Sequence, residues 1–156
     1  MQALYSIFIY SIDLTMGLDF IEQAYVLLEK YPIVNGSRFM PDSVVERSWF
    51  RQIASKVYHP MACWLLGVSF TDFDGLKAMR CDFAKQLLPH TRSKRNFFFT
   101  EMLVMAERNG VPVAEIPIDH IENRSSRFSI PKLVFWQVVD LARYYRNTLR
   151  SRSFKL

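Results

Sequence analysis

The chain has 156 residues, the size of one ordinary domain and enough to bury a core behind a sheet. Half of the residues are hydrophobic and 15% are aromatic, which excludes a disordered chain and points to a large core or to an apolar surface that meets a partner. The formal net charge of +5 is moderate but unevenly placed, because no acidic residue follows Asp140 while Arg143, Arg146, Arg150, Arg152 and Lys155 do. Such an ending suits a solvated helix end or an anionic surface.

Residues 4–12 are rich in Ile, Tyr and Phe on both alternating faces, the pattern of a strand covered on both sides by helices. The opening apolar stretch has no basic region before it and no small-residue cleavage site, so a strand is expected rather than a signal peptide. Leu18, Ile21, Tyr25 and Leu28 recur at helical spacing, and Pro32 stops that helix. Residues 33–36 then read as a second strand. Strand, helix and strand in this order form a crossover unit of the right length for parallel pairing.

Ser43, with Glu46 three residues later, predicts a capping box opening a helix through Trp49, Ile53 and Val57. Pro60 divides it from a second helical stretch over residues 61–66, which Gly67 ends. Residues 75–79 read as a turn feeding a short strand, followed by a helix over 82–88 and a solvated basic loop at Arg92, Lys94 and Arg95. A further helix is expected over 97–108, with Phe98, Met102, Met105 and Ala106 on one face and Asn109-Gly110 as its stop. Residues 111–118 alternate and contain Pro112 and Pro117, which favours an edge strand or a strand with solvent-facing donors.

Residues 133–145 are apolar over more than half of a helical circumference and end in arginines. This composition fits a helix lying in a membrane interface, with Phe135 and Trp136 entering the headgroup boundary, and it equally fits a helix packed on the core. No window reaches the about 18 uninterrupted apolar residues that a spanning helix needs. Cys63 and Cys81 lack any C-x-x-C or nearby ligand spacing, which argues against a zinc site or a disulfide framework and suits a reducing compartment. His59, His90 and His120 have no mutual metal spacing and receive no role.

Several short blocks carry chemistry. Asp13 falls at the carboxyl end of an apolar strand, where open α/β sheets bind their ligands. Tyr10-Ser11-Ile12-Asp13-Leu14-Thr15, Gly36-Ser37-Arg38, the helix with Arg47, Arg51 and Ser55, Thr71-Asp72-Phe73-Asp74-Gly75-Leu76-Lys77, Phe98-Phe99-Thr100-Glu101-Met102-Leu103 and Glu115-Ile116-Pro117-Ile118 follow in that order. Jointly they resemble the later half of the catalytic domain of family 2 glycosyltransferases that load sugars onto polyprenyl phosphate. The likeness extends from about residue 8 to about residue 145, and no single block decides it.

The resemblance implies an α/β fold, a partial nucleotide-diphospho-sugar transferase domain of GT-A type with a mixed sheet flanked by helices. It implies a catalytic part over residues 1–130 and an amphipathic basic helix over 131–156. It also implies inverting transfer of a hexose from a nucleotide sugar to a polyprenyl phosphate, on the cytoplasmic face of an inner or plasma membrane, by a peripheral protein. Asp13 would hold Mg²⁺ or Mn²⁺, which offsets the charge of the diphosphate leaving group. Ser11 stands where the family has the first Asp of the pair, and a hydroxyl there still reaches a metal-bound water.

Arg38, Arg47 and Arg51 match positions near donor or acceptor phosphates, a task for which the guanidinium fork is suited. Lys77, Arg124, Ser126 and Arg127 match further substrate contacts. Asp72 is the expected catalytic carboxylate, with Asp74 held in reserve, because the family's Asp lies four residues before the Gly and Thr71 occupies that place here. Glu101 and Glu115 match supporting positions. The partners implied are the nucleotide sugar, the polyprenyl phosphate, the membrane surface, and an amino-terminal half or a second copy to complete the sheet. On this reading the first strand presents an unpaired edge, and the chain alone binds nucleotide sugar weakly. A non-catalytic membrane-surface module is the alternative. No nucleic-acid motif accompanies the basic tail, so no nucleic acid is expected.

Overall fold

The computed structural model describes residues 6–9, 19–46, 48–93, 97–121 and 130–150. Among these residues six strands and five α-helices follow one another as β1 (Ser6–Ile9), α1 (Asp19–Leu27), β2 (Ile33–Ser37), β3 (Val45–Glu46), α2 (Trp49–Leu66), β4 (Lys77–Arg80), α3 (Cys81–Leu87), α4 (Phe97–Arg108), β5 (Val113–Pro117), β6 (His120–Ile121) and α5 (Ile130–Arg150). Four strands form one mixed sheet in the order β1-β4-β2-β5, and β3 pairs with β6 in a small parallel ribbon.

The two faces of the sheet are covered by different helices, as strand alternation requires. Val34, Ala78 and Ile116 lie under α1 with Phe20, Ala24 and Leu28. Ile33 and Met79 lie on the other face in a larger cluster that takes in Ala62 and Leu66 of α2, Phe83 and Leu87 of α3, Leu103 and Val104 of α4, and Leu141 and Tyr144 of α5. This is a mixed α/β domain with helices on both sides of its sheet.

The crossover expected between the first two strands is present with a difference. β1 and β2 do not pair with each other: β4 lies between them and runs antiparallel to both, with Ile9 opposite Lys77 on one side and Asn35 opposite Lys77 on the other. The parallel partner of β2 is β5, with Asn35 opposite Glu115 and Ser37 opposite Pro117. Among the described residues β5 is an edge strand, where Pro112 before it and Pro117 at its end cost no ladder bond on the open side. Among the described residues β1 ends the sheet on the other side.

Two local expectations fail around α2. Ser43 caps no helix: its hydroxyl donates to the Ser37 carbonyl at 2.7 Å, and the Val44 amide donates to Asp119 Oδ1 at 3.0 Å. Val45 and Glu46 are thereby drawn into β3, and the helix starts only at Trp49. Pro60 does not divide the helix either, since α2 runs unbroken through it to Leu66. The pyrrolidine forfeits one backbone bond, while buried Ala62 and Leu66 anchor the following turn in the core. Gly67 ends the helix as expected, with φ of 64° and the Val68 amide returning to the Cys63 carbonyl at 3.1 Å.

Candidate functional site

A buried polar cluster sits where the carboxyl end of β2 meets the loop that joins α2 to β4. Asn35 and Ser37 of β2 are fully buried on the same side of the strand as Ile33. The loop approaches so closely that a Cβ added at Gly75 would stand 1.7 Å from the Gly36 carbonyl oxygen. Only a residue without a side chain allows that contact, which is reinforced by the Gly36 amide donating to the Leu76 carbonyl at 2.7 Å.

The centre of the cluster is an ion pair. Arg38 donates through Nε to Asp72 Oδ2 and through Nη2 to Asp72 Oδ1, each at 2.7 Å, and its backbone amide adds a third bond to Oδ2 at 3.1 Å. The Asp74 amide donates to Asp72 Oδ1 at 2.9 Å. Burial pushes the Asp72 carboxyl up, but the Arg38 hydrogen bonds and charge outweigh it and hold the group below the ordinary carboxylate value. Asp72 is therefore ionised, enclosed and satisfied at both oxygens.

Asp74 is placed differently. Its side chain is 44% exposed against 2% for Asp72, and its Oδ2 lies 4.0 Å from Arg38 Nη2. Gln137 of α5 donates to the same Oδ2 at 3.1 Å. Among the described residues Asp74 Oδ1 has no partner, so of the four carboxylate oxygens in this pair it is the one open to another molecule.

Glu115 of β5 holds the loop from the sheet side. Its carboxylate accepts Asn35 Nδ2 at 2.8 Å, the Thr71 amide at 3.1 Å and the Thr71 hydroxyl at 3.0 Å. Asn35 Nδ2 also donates to the Asp72 carbonyl at 2.8 Å, and the Ser37 and Thr71 hydroxyl oxygens are hydrogen-bonded to each other at 2.6 Å. On the far side of the loop, the His59 ring of α2 donates to the Phe70 carbonyl at 2.7 Å and lies 5.3 Å from the Phe73 ring. Sheet, loop and two helices thus converge on Asp72 and Asp74.

Lys77, matched to a substrate contact in the sequence, is 2% exposed and donates to the Phe73 and Gly75 carbonyls at 2.8 and 2.7 Å. Its place is under the loop, where it ties two carbonyls together. Burial pushes its ammonium down to about 8, against the opposing pull of Asp72 and Asp74. The unfolded lysine keeps its ordinary value of 10.5, so the folded state binds fewer protons between the two values and stability must rise with pH across that window. Relative to Lys77→Met, the wild-type chain should gain roughly 3 kcal/mol from pH 8 to pH 10.5, read from urea unfolding. Parallel stability curves for the two proteins would show that Lys77 does not titrate there.

Of the sequence-derived site residues, Arg38, Asp72, Asp74 and Lys77 come together in this cluster. Ser11, Asp13, Arg47, Arg124, Ser126 and Arg127 lie outside the described residues, as does the side chain of Arg51 on α2. Glu101 matches its supporting role, since its carboxylate accepts the Arg92 and Ser93 amides at 3.1 and 2.6 Å. Sequence reasoning missed Asn35, Thr71, His59 and Gln137. Asn35 had a usable signal, because an amide inside the apolar run of a central strand must find buried partners.

A mixed sheet between helices, with charged side chains gathered at strand ends, is consistent with part of a glycosyltransferase domain. The chain is 35% identical over 91 residues to Glycosyltransferase AglD of Haloferax volcanii. That stretch covers 58% of this chain and 15% of the archaeal protein. No family model and no solved structure matches the chain.

Proposed function

We propose that this chain carries the later half of a family 2 glycosyltransferase catalytic domain, which transfers a hexose from a nucleotide sugar to a polyprenyl phosphate at a cytoplasmic membrane face. The observation that carries this reading is the Arg38–Asp72–Asp74 arrangement, together with the partial similarity to a glycosyltransferase. In it, Asp72 is the anchor that fixes Arg38, and Asp74 is the carboxylate that orients the acceptor. Polyprenyl phosphate is already anionic, so an orienting group suffices where a strong base is not needed. Arg47, Arg51, Arg124, Ser126 and Arg127 would meet phosphate groups.

The divalent cation belongs to the same reading, with Asp13 as its ligand; when bound it supplies positive charge against the departing diphosphate. The described residues alone form no group of three or more His, Cys, Asp or Glu able to hold such an ion. Within them the acceptor side is carried by the protein's own charges.

Titration of the chain with farnesyl phosphate should give saturable binding, weakened about tenfold by Arg51→Ala. UDP- and GDP-sugars with Mn²⁺ should bind far more weakly, and micromolar affinity for either would contradict the assignment of this half to the acceptor. Absence of saturable farnesyl phosphate binding sinks the reading. A non-catalytic membrane-surface module is the second reading, supported by the apolar helix faces left exposed. Sugar transfer to polyprenyl phosphate in a product assay separates the two.

A further inference from the structure

We infer that α2 is a membrane-docking helix, which seats the chain on a bilayer containing anionic lipid through a stripe running from Trp49 to Trp64. The inference rests on the membrane-surface part of the reading above but not on catalysis. It also goes further, because the sequence pattern pointed to α5 and not to this helix.

Trp49, Ile53, Val57, Met61 and Trp64 are spaced by four, four, four and three residues, so they share one face of the helix. All five are exposed, at 72, 51, 65, 39 and 81%. The opposite side of the same helix packs into the core through Ala62 and Leu66. The stripe is thus the solvent side of a well-anchored helix, where polar residues would be expected. A tryptophan stands at each end of it, and its indole suits the boundary between headgroups and acyl chains.

Charge identifies the occupant. The 18 residues of α2 include no Asp or Glu, and exposed Lys56 projects beside Trp49 and Ile53 on the helix. The neighbouring α5 carries exposed Arg146, and also exposed Arg143, whose charge is partly offset by Asp140 at 3.5 Å. An apolar stripe with a basic margin is the composition of a helix lying in the plane of an anionic interface. A second copy fits poorly. A twofold contact would bring the two basic margins together, and a strip about 23 Å long and about 10 Å wide is far short of the about 800 Å² per partner that a stable interface buries.

Sedimentation of the intact chain with sucrose-loaded vesicles tests this. Wild type should pellet with phosphatidylcholine vesicles that include phosphatidylglycerol, and less with phosphatidylcholine alone. Trp49→Glu with Trp64→Glu should lower partitioning on the order of a hundredfold, since two indoles leave the interface. Tyr25→Glu with Val26→Glu, on the exposed side of α1, should leave it unchanged, and quenching of tryptophan fluorescence by brominated lipid should appear in the wild type. Circular dichroism confirms that the exposed substitutions leave the fold intact. If Phe135→Glu abolishes binding while the double tryptophan change does not, the membrane reading stands and α2 is excluded. Absence of vesicle binding in the wild type, or a dimer dissolved by the double tryptophan change, overturns the proposal while leaving sugar transfer untouched.

Discussion

Gly75→Ala should destabilise the chain by more than about 3 kcal/mol, the upper part of the range for overpacked sites. The added methyl would fall 1.7 Å from the Gly36 carbonyl oxygen, and backbone on both sides prevents a side chain from yielding. The loop must withdraw, and with it go the Gly36–Leu76 bond and the carbonyls that Lys77 clasps. Urea unfolding of the soluble fraction measures the loss; a cost below about 1 kcal/mol would mean that the loop does not lie against β2 as described. The neighbouring Gly67 serves as a control of a different kind. Its φ of 64° meets no steric neighbour within 4 Å, so Gly67→Asn should cost only a few tenths of a kcal/mol.

Asp72→Asn should cost about 3–5 kcal/mol, because it leaves the buried Arg38 guanidinium with only the longer contact to the exposed Asp74 carboxylate at 4.0 Å. The pH dependence has a definite sign. The Asp72 carboxyl is held below its ordinary value of 3.8 in the folded chain, so its stabilisation is complete above that pH and fades as pH falls through the folded value. Asp72→Asn should therefore flatten the acid limb of the stability curve as well as lower the neutral plateau. The paired change Arg38→Met with Asp72→Leu should recover most of the loss, since two apolar groups remove both desolvation penalties. A double-mutant cycle that gives no coupling between the two positions would refute the ion pair.

The elements legible in the sequence were those whose signals are local. Helix α4 begins and ends where its apolar face and Asn109-Gly110 placed it, and among the described residues β5 lies at the sheet edge, one of the two placements its prolines favoured. Residues 43–46 misled because Ser43 and Glu46 satisfy a capping pattern, whereas the Ser37 carbonyl and Asp119, distant in sequence, supply better partners. The same applies to the insertion of β4 between β1 and β2, which no spacing within the first crossover announces.

The candidate site divided along the same line. Arg38, Asp72, Asp74 and Lys77 were legible from order and residue type, but their division of labour was not. Whether a carboxylate is enclosed or open depends on Thr71, Asn35 and Glu115 pulling the loop inward, and two of these come from other strands. Asp72, favoured in the sequence, turns out to be the saturated member of the pair, and Asp74 the open one.

The rung that crosses the sheet at Asn35 has a consequence for how the chain folds. Asn35 lies between Lys77 on one side and Glu115 on the other, so a single cross-section joins β2 to segments 42 and 80 residues further along the chain. Loop closure over both distances must be complete before any of the polar groups there finds its partner. The amides of β2 are then expected among the last to exchange with deuterated water, with protection close to that of global unfolding. The cluster would assemble late and all at once, and a chain interrupted anywhere between residues 37 and 113 would keep helices but lose the cluster as a unit.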